Sequence, residues 1–246
     1  MTVALVSLFF ALSLEAADWL NEGRLQPLER EITPSTVKDL KLIWKRKLRD
    51  GARLSSPIIM GRLITYRGTV ELVFVSSSDG RVYAVDGDFG KVFWTRDLTP
   101  GSVKCSEPAT PGLTANPPDV DPDADEEPPR RPLFVQGPDG LVHSLNPING
   151  KDDGRAGRMS CVGALVVRKN GARALKGARG PVVAGGVEFA LAAGTGELTA
   201  VDAASRAQLF RSEPVGKTGS ALAIANGHVC FTVDSTLFCF GFPMEK

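Results

Sequence analysis

Residues 70–98 read VELVFVSSSDGRVYAVDGDFGKVFWTRDL. Apolar and polar residues alternate on both sides of Asp79-Gly80, and this pattern predicts two antiparallel strands joined by a tight turn. A second turn at Gly90-Lys91 then predicts a third strand, which contains Trp94. The stretch therefore predicts a meander of short strands, and it indicates an all-β protein.

Weaker copies of this stretch recur along the chain, with Gly80, Gly140, Gly196 and Ser235 at the matching turn position. The turns are about 40 to 60 residues apart, a spacing typical of propellers and solenoids. A sandwich with several similar hairpins is the alternative interpretation. It is disfavoured because a sandwich does not need the same polar residue after each strand.

The polar residue belongs to a longer motif, Ala84-x-Asp86-x-x-x-Gly90-Lys91-x-x-Trp94. This motif resembles the tryptophan-docking repeat of quinoprotein, or PQQ-type, β-propellers. The resemblance implies that the aromatic ring stacks against the neighbouring blade and that the Asp holds the turn. It also implies an all-β fold class: a small or partial β-propeller with four to five blades of antiparallel sheet.

The later copies keep only part of the motif. The second copy has Gly154 where an aromatic residue is expected, and the third has Arg206 at the glycine position and Phe210 at the aromatic position. The motif residues that these copies retain are Asn146, Gly150, Lys151, Ala200 and Asp202.

The two ends of the chain are also similar to those of such propellers. Residues 32–48 resemble the entry segment, and residues 238–246 resemble the terminal strand. The alternating apolar residues Leu40, Leu42 and Trp44 predict that the entry segment adds a strand to the last blade. Such closure would remove the exposed sheet edges, whereas in an open ring two chains can pair through the free edges.

The composition fits a single exported domain. With 246 residues, 43% of them hydrophobic, the chain can bury a core, and a net charge of +1 argues against a general nucleic-acid binder.

Residues 1–17 are predicted to be a signal peptide, because the apolar run 3–14 is too short to span a bilayer and Ala16-Ala17 offers a cleavage site. We therefore expect a propeller domain over 18–246, no transmembrane segment, and a periplasmic or secreted protein. No Lys or Arg precedes the apolar run 3–14, although a signal peptide normally has such a cation. A buried first strand is therefore the alternative interpretation of this run.

The cysteines allow a cross-strand disulfide near the end of the chain. If Asp234-Ser235 is a two-residue turn, Cys230 lies opposite Cys239 at a non-hydrogen-bonded pair, where side chains are closest. A disulfide is geometrically allowed there, and two free cysteines packed in a core strand are the alternative. Cys105 and Cys161 remain as a possible second pair that the spacing does not establish.

An acidic, proline-rich stretch at residues 115–131 interrupts the strand pattern. Its alternating Asp residues suggest oxygen ligands for a hard cation, but Ala124 stands where the calcium-loop pattern needs Gly. We therefore favour a solvated, disordered insertion between strands. Its acidic residues are Asp119, Asp121, Asp123, Asp125, Glu126 and Glu127.

A basic stretch follows at residues 155–179, and no acidic residue occurs between Asp153 and Glu188. An anionic partner is one interpretation: a protein, a polysaccharide, a lipid head group, or the acidic stretch itself. A solvated loop is the other, because Gly and Ala are interspersed. The cations are Arg155, Arg158, Arg168, Lys169, Arg173, Lys176 and Arg179.

The sequence assigns no catalytic, cofactor-binding or metal-binding residue. His143 and His228 fall within predicted strands and are too few for a zinc site, and no Gly-x-Ser-x-Gly elbow occurs. The quinoprotein resemblance implies an adjacent cysteine pair over the quinone, a calcium ion and an Asp base. The sequence contains no adjacent cysteines, and the other groups do not map by motif.

We therefore favour an exported, non-catalytic propeller that acts as a binding or scaffolding module, since fold similarity alone does not transfer activity. The alternative is a shortened quinoprotein that binds PQQ with calcium. The two hypotheses differ in one measurable property, which is whether the protein binds the quinone.

Overall fold

The structure is a computed structural model that describes residues 25–65, 68–98, 100–101, 108–113, 132–159, 164–168, 171–175, 180–217 and 219–243. The predicted signal peptide, the predicted insertion at 115–131, Cys105 and Cys161 lie outside the described residues. Among the residues that are described, no helix is long and apolar enough to cross a membrane.

Strands dominate the described residues, and the helical turn among them is a 3-10 turn at Val37–Asp39. The strands in chain order are β1 (Leu25–Gln26), β2 (Lys41–Lys47), β3 (Ile58–Thr65), β4 (Gly68–Ser76), β5 (Arg81–Asp86), β6 (Val92–Asp97), β7 (Gly112–Leu113), β8 (Leu133–Gln136), β9 (Leu141–Leu145), β10 (Asp152–Arg158), β11 (Ala164–Arg168), β12 (Gly171–Leu175), β13 (Val182–Ala184), β14 (Val187–Leu191), β15 (Leu198–Asp202), β16 (Gln208–Arg211), β17 (Ala223–Ala225), β18 (His228–Val233) and β19 (Thr236–Gly241).

The described strands form five sheets, and four of these share one plan of four antiparallel strands. Sheet I is β3–β6, sheet II is β7–β10, sheet III is the hairpin β11–β12, sheet IV is β13–β16, and sheet V is β17–β19 with β2. Strand β1 pairs in parallel with β13 at the edge of sheet IV. The predicted fold class, a small or partial β-propeller of four to five antiparallel blades, is confirmed.

The entry segment completes sheet V, as its alternating pattern predicted. Strand β2 pairs antiparallel with β19, so that Trp44 lies opposite Cys239 and Leu42 opposite Phe240. A register shift between Cys239 and Phe240 leaves Ile43 as an extra residue, which the simple alternation did not anticipate. A bulge of this kind re-aims the side chains on either side, and Leu42 is accordingly 41% exposed.

Neighbouring sheets pack face to face, and the inner strands of sheet I are buried on both sides. In β5, Tyr83 and Val85 belong to a core shared with sheets IV and V, whereas Val82 and Ala84 belong to a core shared with sheet II. Because successive side chains of a strand point to opposite faces, this division requires apolar residues at consecutive positions. A smaller core links Val142 of sheet II to Leu165 of sheet III. The sheets therefore follow one another in the order IV, V, I, II, III.

Two tryptophans join sheets at their outer strands. The Trp94 indole N–H donates to the carbonyl of Pro147, 2.8 Å away, and a Cβ on Gly150 would lie 2.6 Å from the Trp94 ring. Trp44 makes the same contact between sheets V and I. Its indole N–H donates to the carbonyl of Gly87 at 2.6 Å, and a Cβ on Gly90 would lie 2.6 Å from the Trp44 ring. Both rings are half-buried, at a contact between neighbouring sheets such as the motif implied for Trp94.

The motif carboxylates shape the turns on which the rings lie. The Asp86 side chain accepts hydrogen bonds from the backbone N–H groups of Asp88 at 3.0 Å and Phe89 at 2.9 Å. Gly90 follows with φ +63°, a conformation that favours glycine. Lys91 closes the turn, because its carbonyl accepts the Asp86 N–H at 2.8 Å.

The later copies of the motif form the same turn. Asn146 accepts from the Ile148 N–H at 2.9 Å, and Asp202 accepts from the Ser205 N–H at 2.6 Å. The hydrogen bonds that Asp202 accepts from Ser205 and Ala204 lower the pKa of its carboxyl below the ordinary value. The polar position after each strand is thus occupied by a residue that can cap its own turn.

A second contact joins sheets near their inner strands, and sequence reasoning missed it. The buried Thr232 hydroxyl donates to the carbonyl of Ser55 at 3.0 Å, from sheet V to the segment before sheet I. The buried Ser76 hydroxyl donates to the carbonyl of Ala109 at 2.5 Å, from sheet I to the segment before sheet II. The sequence did contain a signal for this contact, which is a hydroxyl residue near the end of the second strand of sheets V and I. A buried hydroxyl needs a hydrogen-bond partner.

The terminal hairpin has the register that the sequence predicted. Val233 pairs with Thr236, Thr232 with Leu237, and Cys230 with Cys239. The two cysteines form a disulfide with their Cα atoms 4.2 Å apart. Both are fully buried in the core shared by sheets IV, V and I, so the bond fastens the sheet that the entry strand completes.

We predict that Trp94→Ala lowers the free energy of unfolding by about 2–4 kcal/mol, somewhat less than for a fully buried tryptophan because the ring is half exposed. Urea unfolding measures this loss. Trp94→Phe is the matched control: it keeps an aromatic ring over Gly150 and loses only the indole hydrogen bond, which contributes about 1 kcal/mol. A loss below about 1 kcal/mol for Trp94→Ala would contradict the docking role.

We also predict that the Cys230–Cys239 disulfide forms in the native exported protein and stabilises it by roughly 2–3 kcal/mol, the chain-entropy value for so short a loop. Peptide mapping under non-reducing conditions should recover the linked peptide. A Cys230→Ala, Cys239→Ala double variant gives the stability difference without a free thiol. Free alkylation of both cysteines in the native protein would show that the prediction is wrong.

Candidate binding site

A cavity of about 270 Å³ lies between sheets IV and V. Its wall is made by the end of β14 with the turn that follows, by the residue before β13, and by the segment that leads into β17. Lys217 and Ser220 are the polar side chains of the lining. The apolar side chains are Pro181, Ala190, Leu191, Ala192, Ala193, Ala221 and Leu222.

Glycines let the two walls approach each other. Gly219 bridges to Val233 of sheet V, and a Cβ at Gly219 would collide with the Leu191 side chain of sheet IV. Gly194 has φ +90°, and its N–H donates to the carbonyl of Lys217 at 2.9 Å. The backbone therefore spans from one sheet to the other beside the cavity, and the glycines leave space that larger residues would fill.

The polar capacity of the lining is small. The Ser220 hydroxyl donates to the Ala221 carbonyl and accepts from the Thr232 N–H, both at 2.9 Å, so the fold already uses it. Lys217 is exposed and contributes the one charge among the lining residues. This arrangement suits a small apolar group with a carboxylate beside the ammonium.

The cavity does not match the donor set that PQQ with calcium requires. The quinone carries several carboxylates, but the lining has a single cation and no carboxylate that could hold calcium. Across the described residues, no group of three or more His, Cys, Asp and Glu side chains could hold a metal ion. The described lining of this cavity therefore does not supply the ligands of this cofactor.

The motif residues named from the sequence lie elsewhere. Ala84 is buried between sheets I and II, Asp86 to Trp94 form a turn and an outer strand, and Asn146, Gly150 and Asp202 lie in the equivalent turns. The structure brings Trp94 to Gly150 and leaves both away from the cavity lining. These residues hold sheets together, and they do not bind a ligand in the cavity.

His228 forms a buried polar cluster at the junction of sheets V and I. Its Nδ1 lies 2.7 Å from Glu71 Oε1, and the other Glu71 oxygen accepts from the Asn226 side-chain amide at 2.6 Å. Nε2 lies 3.8 Å from Asp88. Sequence reasoning treated His228 as an ordinary strand residue, and the available signal was Glu71, a single acid inside the apolar strand VELVFV.

Burial and charge act together on the proton affinities of this cluster. Burial raises the pKa of Glu71 above its ordinary value, and the contacts with His228 and Asn226 offset this only in part. Burial alone would lower the pKa of His228, but the hydrogen bond and charge of Glu71, with the charges of Asp88 and Glu31, raise it above its ordinary value. The hydrogen-bonded pair of His228 and Glu71 thus joins two sheets.

His143 also acts within the fold. Its Nε2 lies 3.1 Å from Asp139 Oδ2, and its Nδ1 lies 3.7 Å from Asp152. Burial would raise the pKa of Asp139, but the Leu141 N–H and His143 outweigh it and hold that pKa below its ordinary value. The pair ties the turn between β8 and β9 to strand β9, and neither group lines the cavity.

Comparison with known proteins gives similarity of structure only. No family model matches the chain, and no curated protein matches it. Similar solved structures include the quinohemoprotein alcohol dehydrogenase from Comamonas testosteroni, 20% identical with a TM-score of 0.40 over 80% of this chain and 27% of that one. A europium-containing methanol dehydrogenase is 17% identical with a TM-score of 0.43 over 81% and 32% of the two chains.

BamB from Moraxella catarrhalis is also similar, 11% identical with a TM-score of 0.27 over 70% of each chain. The chain spans about a third or less of the two dehydrogenases. The quinoprotein resemblance noted in the sequence thus recurs among solved structures. At these identities and TM-scores it carries no activity, cofactor or partner over to this chain.

We predict that the free energy of unfolding falls as the pH rises above about 6.5. Because the pKa of His228 is raised in the folded state, its stabilisation is present below the unfolded value of 6.5 and is lost as the pH passes the folded value. Each tenfold change in proton affinity contributes about 1.4 kcal/mol. Urea unfolding of wild type and His228→Gln at pH 6 and pH 9 measures the effect.

The difference between wild type and His228→Gln should be largest at pH 6 and should shrink at pH 9. Glu71→Gln should reduce the same pH dependence, because it removes the charge that raises the pKa of His228. Equal stability of wild type at the two pH values would contradict the role of the imidazolium.

Proposed function

We propose that the chain is an exported, non-catalytic β-propeller that acts as a binding or scaffolding module. The observation that carries this proposal is the lining of the cavity between sheets IV and V, where apolar walls surround a single lysine. Such a lining supports binding by shape, with one charge to orient the ligand. Among the described lining residues there is no carboxylate or imidazole, the serine is hydrogen-bonded within the fold, and the lysine is exposed.

The use of the ionisable side chains supports the same proposal. Several of those in the described chain are paired within the protein, where they connect strands or hold turns. Such pairing gives these groups a structural role in the fold. The pairs are Glu71 with His228, Asp139 with His143, Glu188 with Arg206, and Glu197 with Arg211.

Export rests on two features of different kinds. The apolar run at residues 3–14 has the length of a signal-peptide core, and the Cys230–Cys239 disulfide suits an oxidising compartment. The proposed location is therefore the periplasm or the cell exterior.

The ligand class follows from the lining. A short aliphatic group fits beside Leu191, Ala192 and Leu222, and a carboxylate on that group can pair with Lys217. The ligand is therefore a small apolar acid or an apolar, acid-terminated part of a larger partner. A tricyclic quinone with several carboxylates would leave most of its charge without a partner in this lining.

The test uses hexanoate as the probe and hexylamine as its charge-reversed control. We expect saturable binding of hexanoate by calorimetry or by NMR titration, and no binding of hexylamine. Ala192→Phe should abolish binding because it fills the cavity, and Lys217→Met should weaken it several-fold. Lys151→Met is the matched control, because it removes an exposed lysine that does not line the cavity.

A second titration separates this proposal from the quinoprotein alternative. PQQ with calcium absorbs in the visible range, so saturable binding by the purified protein is directly measurable. We expect none, and no alcohol-dependent reduction of an electron-accepting dye. Saturable PQQ binding with such activity would establish the alternative and overturn the proposal.

A further inference from the structure

Sheet III is shorter than the other sheets. It contains only β11 and β12, whereas each of the other sheets has at least four strands. Residues 176–181 separate β12 from the first strand of sheet IV, and six residues are too few for two more strands with their turns. No other described strand pairs with β12, so its outer edge has no neighbour in the described part of the chain.

The sheet that precedes sheet III is adapted to this shortness. In sheets V and I, the fourth strand carries a tryptophan that docks on the turn before the fourth strand of the next sheet. The described residues of sheet III include no such turn. Sheet II correspondingly has Gly154 at the docking position of β10, where a Cβ would meet nothing within 4 Å.

The sheet that follows sheet III is adapted as well. Gly90 and Gly150 are each covered by a tryptophan ring from the sheet before, but the equivalent residue in sheet IV is Arg206. Arg206 has φ +63°, the conformation of the two glycines, and its side chain pairs with Glu188 at 3.0 Å. Arg206 is exposed, so a side chain is tolerated at this position. The motif position before sheet III in the chain thus lacks the tryptophan, and the motif position after it lacks the glycine.

The register of the hairpin shows which backbone groups face the open edge. Leu165 lies opposite Ala174, but the Leu165 N–H donates to the carbonyl of Thr110 in the segment before sheet II, at 3.1 Å. Leu165 and Ala174 are therefore a non-hydrogen-bonded pair, in which both residues direct their N–H and C=O groups away from each other. The same alternation places the N–H and C=O of Ala172 on the open edge.

The positive charge of the sequence around β12 indicates which kind of strand can bind to its open edge. Arg168 and Arg173 belong to the hairpin, Arg158 ends the neighbouring β10, and no acidic residue occurs between Asp153 and Glu188. A second copy of the hairpin would bring like charges together, which is unfavourable across paired strands. An acidic strand would instead gain both backbone hydrogen bonds and charge pairing.

From these observations we infer that the β12 edge binds an extended, acidic segment of a partner protein, which adds to sheet III as a further strand. The inference rests on the proposed binding function and names a partner class for it. It concerns a different part of the molecule from the cavity, so the two can fail separately.

The test uses the full chain and a fluorescein-labelled octapeptide of alternating Glu and Val, followed by fluorescence anisotropy. We expect saturable binding that weakens as salt increases. A peptide with Lys in place of Glu should not bind. The Glu-Val peptide with N-methylated valines should bind at least tenfold more weakly, because it keeps the charge but loses backbone donors.

Variants of β12 locate the site. Ala174→Pro removes an N–H that faces the open edge without removing a hydrogen bond between β11 and β12, so it should weaken peptide binding at least tenfold. Ala174→Ser is the matched control and should bind within twofold of wild type. Ala172→Pro provides a second variant with the same expectation, and melting temperature shows whether each variant is folded.

Unchanged binding by folded Ala174→Pro and Ala172→Pro, or equal binding of the N-methylated peptide, would overturn the inference. A dimer in sedimentation that Ala174→Pro converts to a monomer would also overturn it, because the occupant would then be a second copy. If the peptide fails while hexanoate still binds the cavity, the edge inference falls and the proposed function stands. If hexanoate alone fails, the proposed cavity function falls instead.

Discussion

At two junctions between sheets, an indole ring lies over a glycine whose φ is positive, and the indole N–H bonds to a carbonyl of the same turn. The contact requires three parts at once: a tryptophan on one outer strand, a turn held by a polar side chain, and no Cβ under the ring. It fixes both the distance and the angle between neighbouring sheets. The apolar faces of these sheets pack closely at the spacing that the contact sets.

A different kind of contact joins the sheets near their inner strands. Hydroxyls of Thr232 and Ser76 bond to carbonyls of the next sheet, and the Glu71–His228 pair crosses the junction of sheets V and I. These groups are buried, so each would be costly without its partner. Apolar burial therefore supplies most of the attraction between sheets, and the polar contacts select one relative placement of the sheets.

This division of roles bears on function. The ionisable pairs described above are used inside the fold, and the cavity between sheets IV and V has an apolar lining with one lysine. The features left for recognition are therefore that cavity and the edge of the two-stranded sheet III. Sheet III is also the point at which the docking series is interrupted, and the residues on both sides, Gly154 and Arg206, are suited to that interruption.

Sequence patterns predicted the antiparallel meander, the turns at Asp86, Asn146 and Asp202, the strand added by residues 40–48 and the register that pairs Cys230 with Cys239. These features depend on neighbours along the chain or on strict alternation, so local patterns are enough to predict them. Three other features could be seen only in the folded protein: the half-burial of Trp94, the contact of Glu71 with His228, and the cavity beside Gly219. Those contacts join residues that are far apart in sequence, and their geometry depends on how two sheets pack. No local pattern encodes that distance.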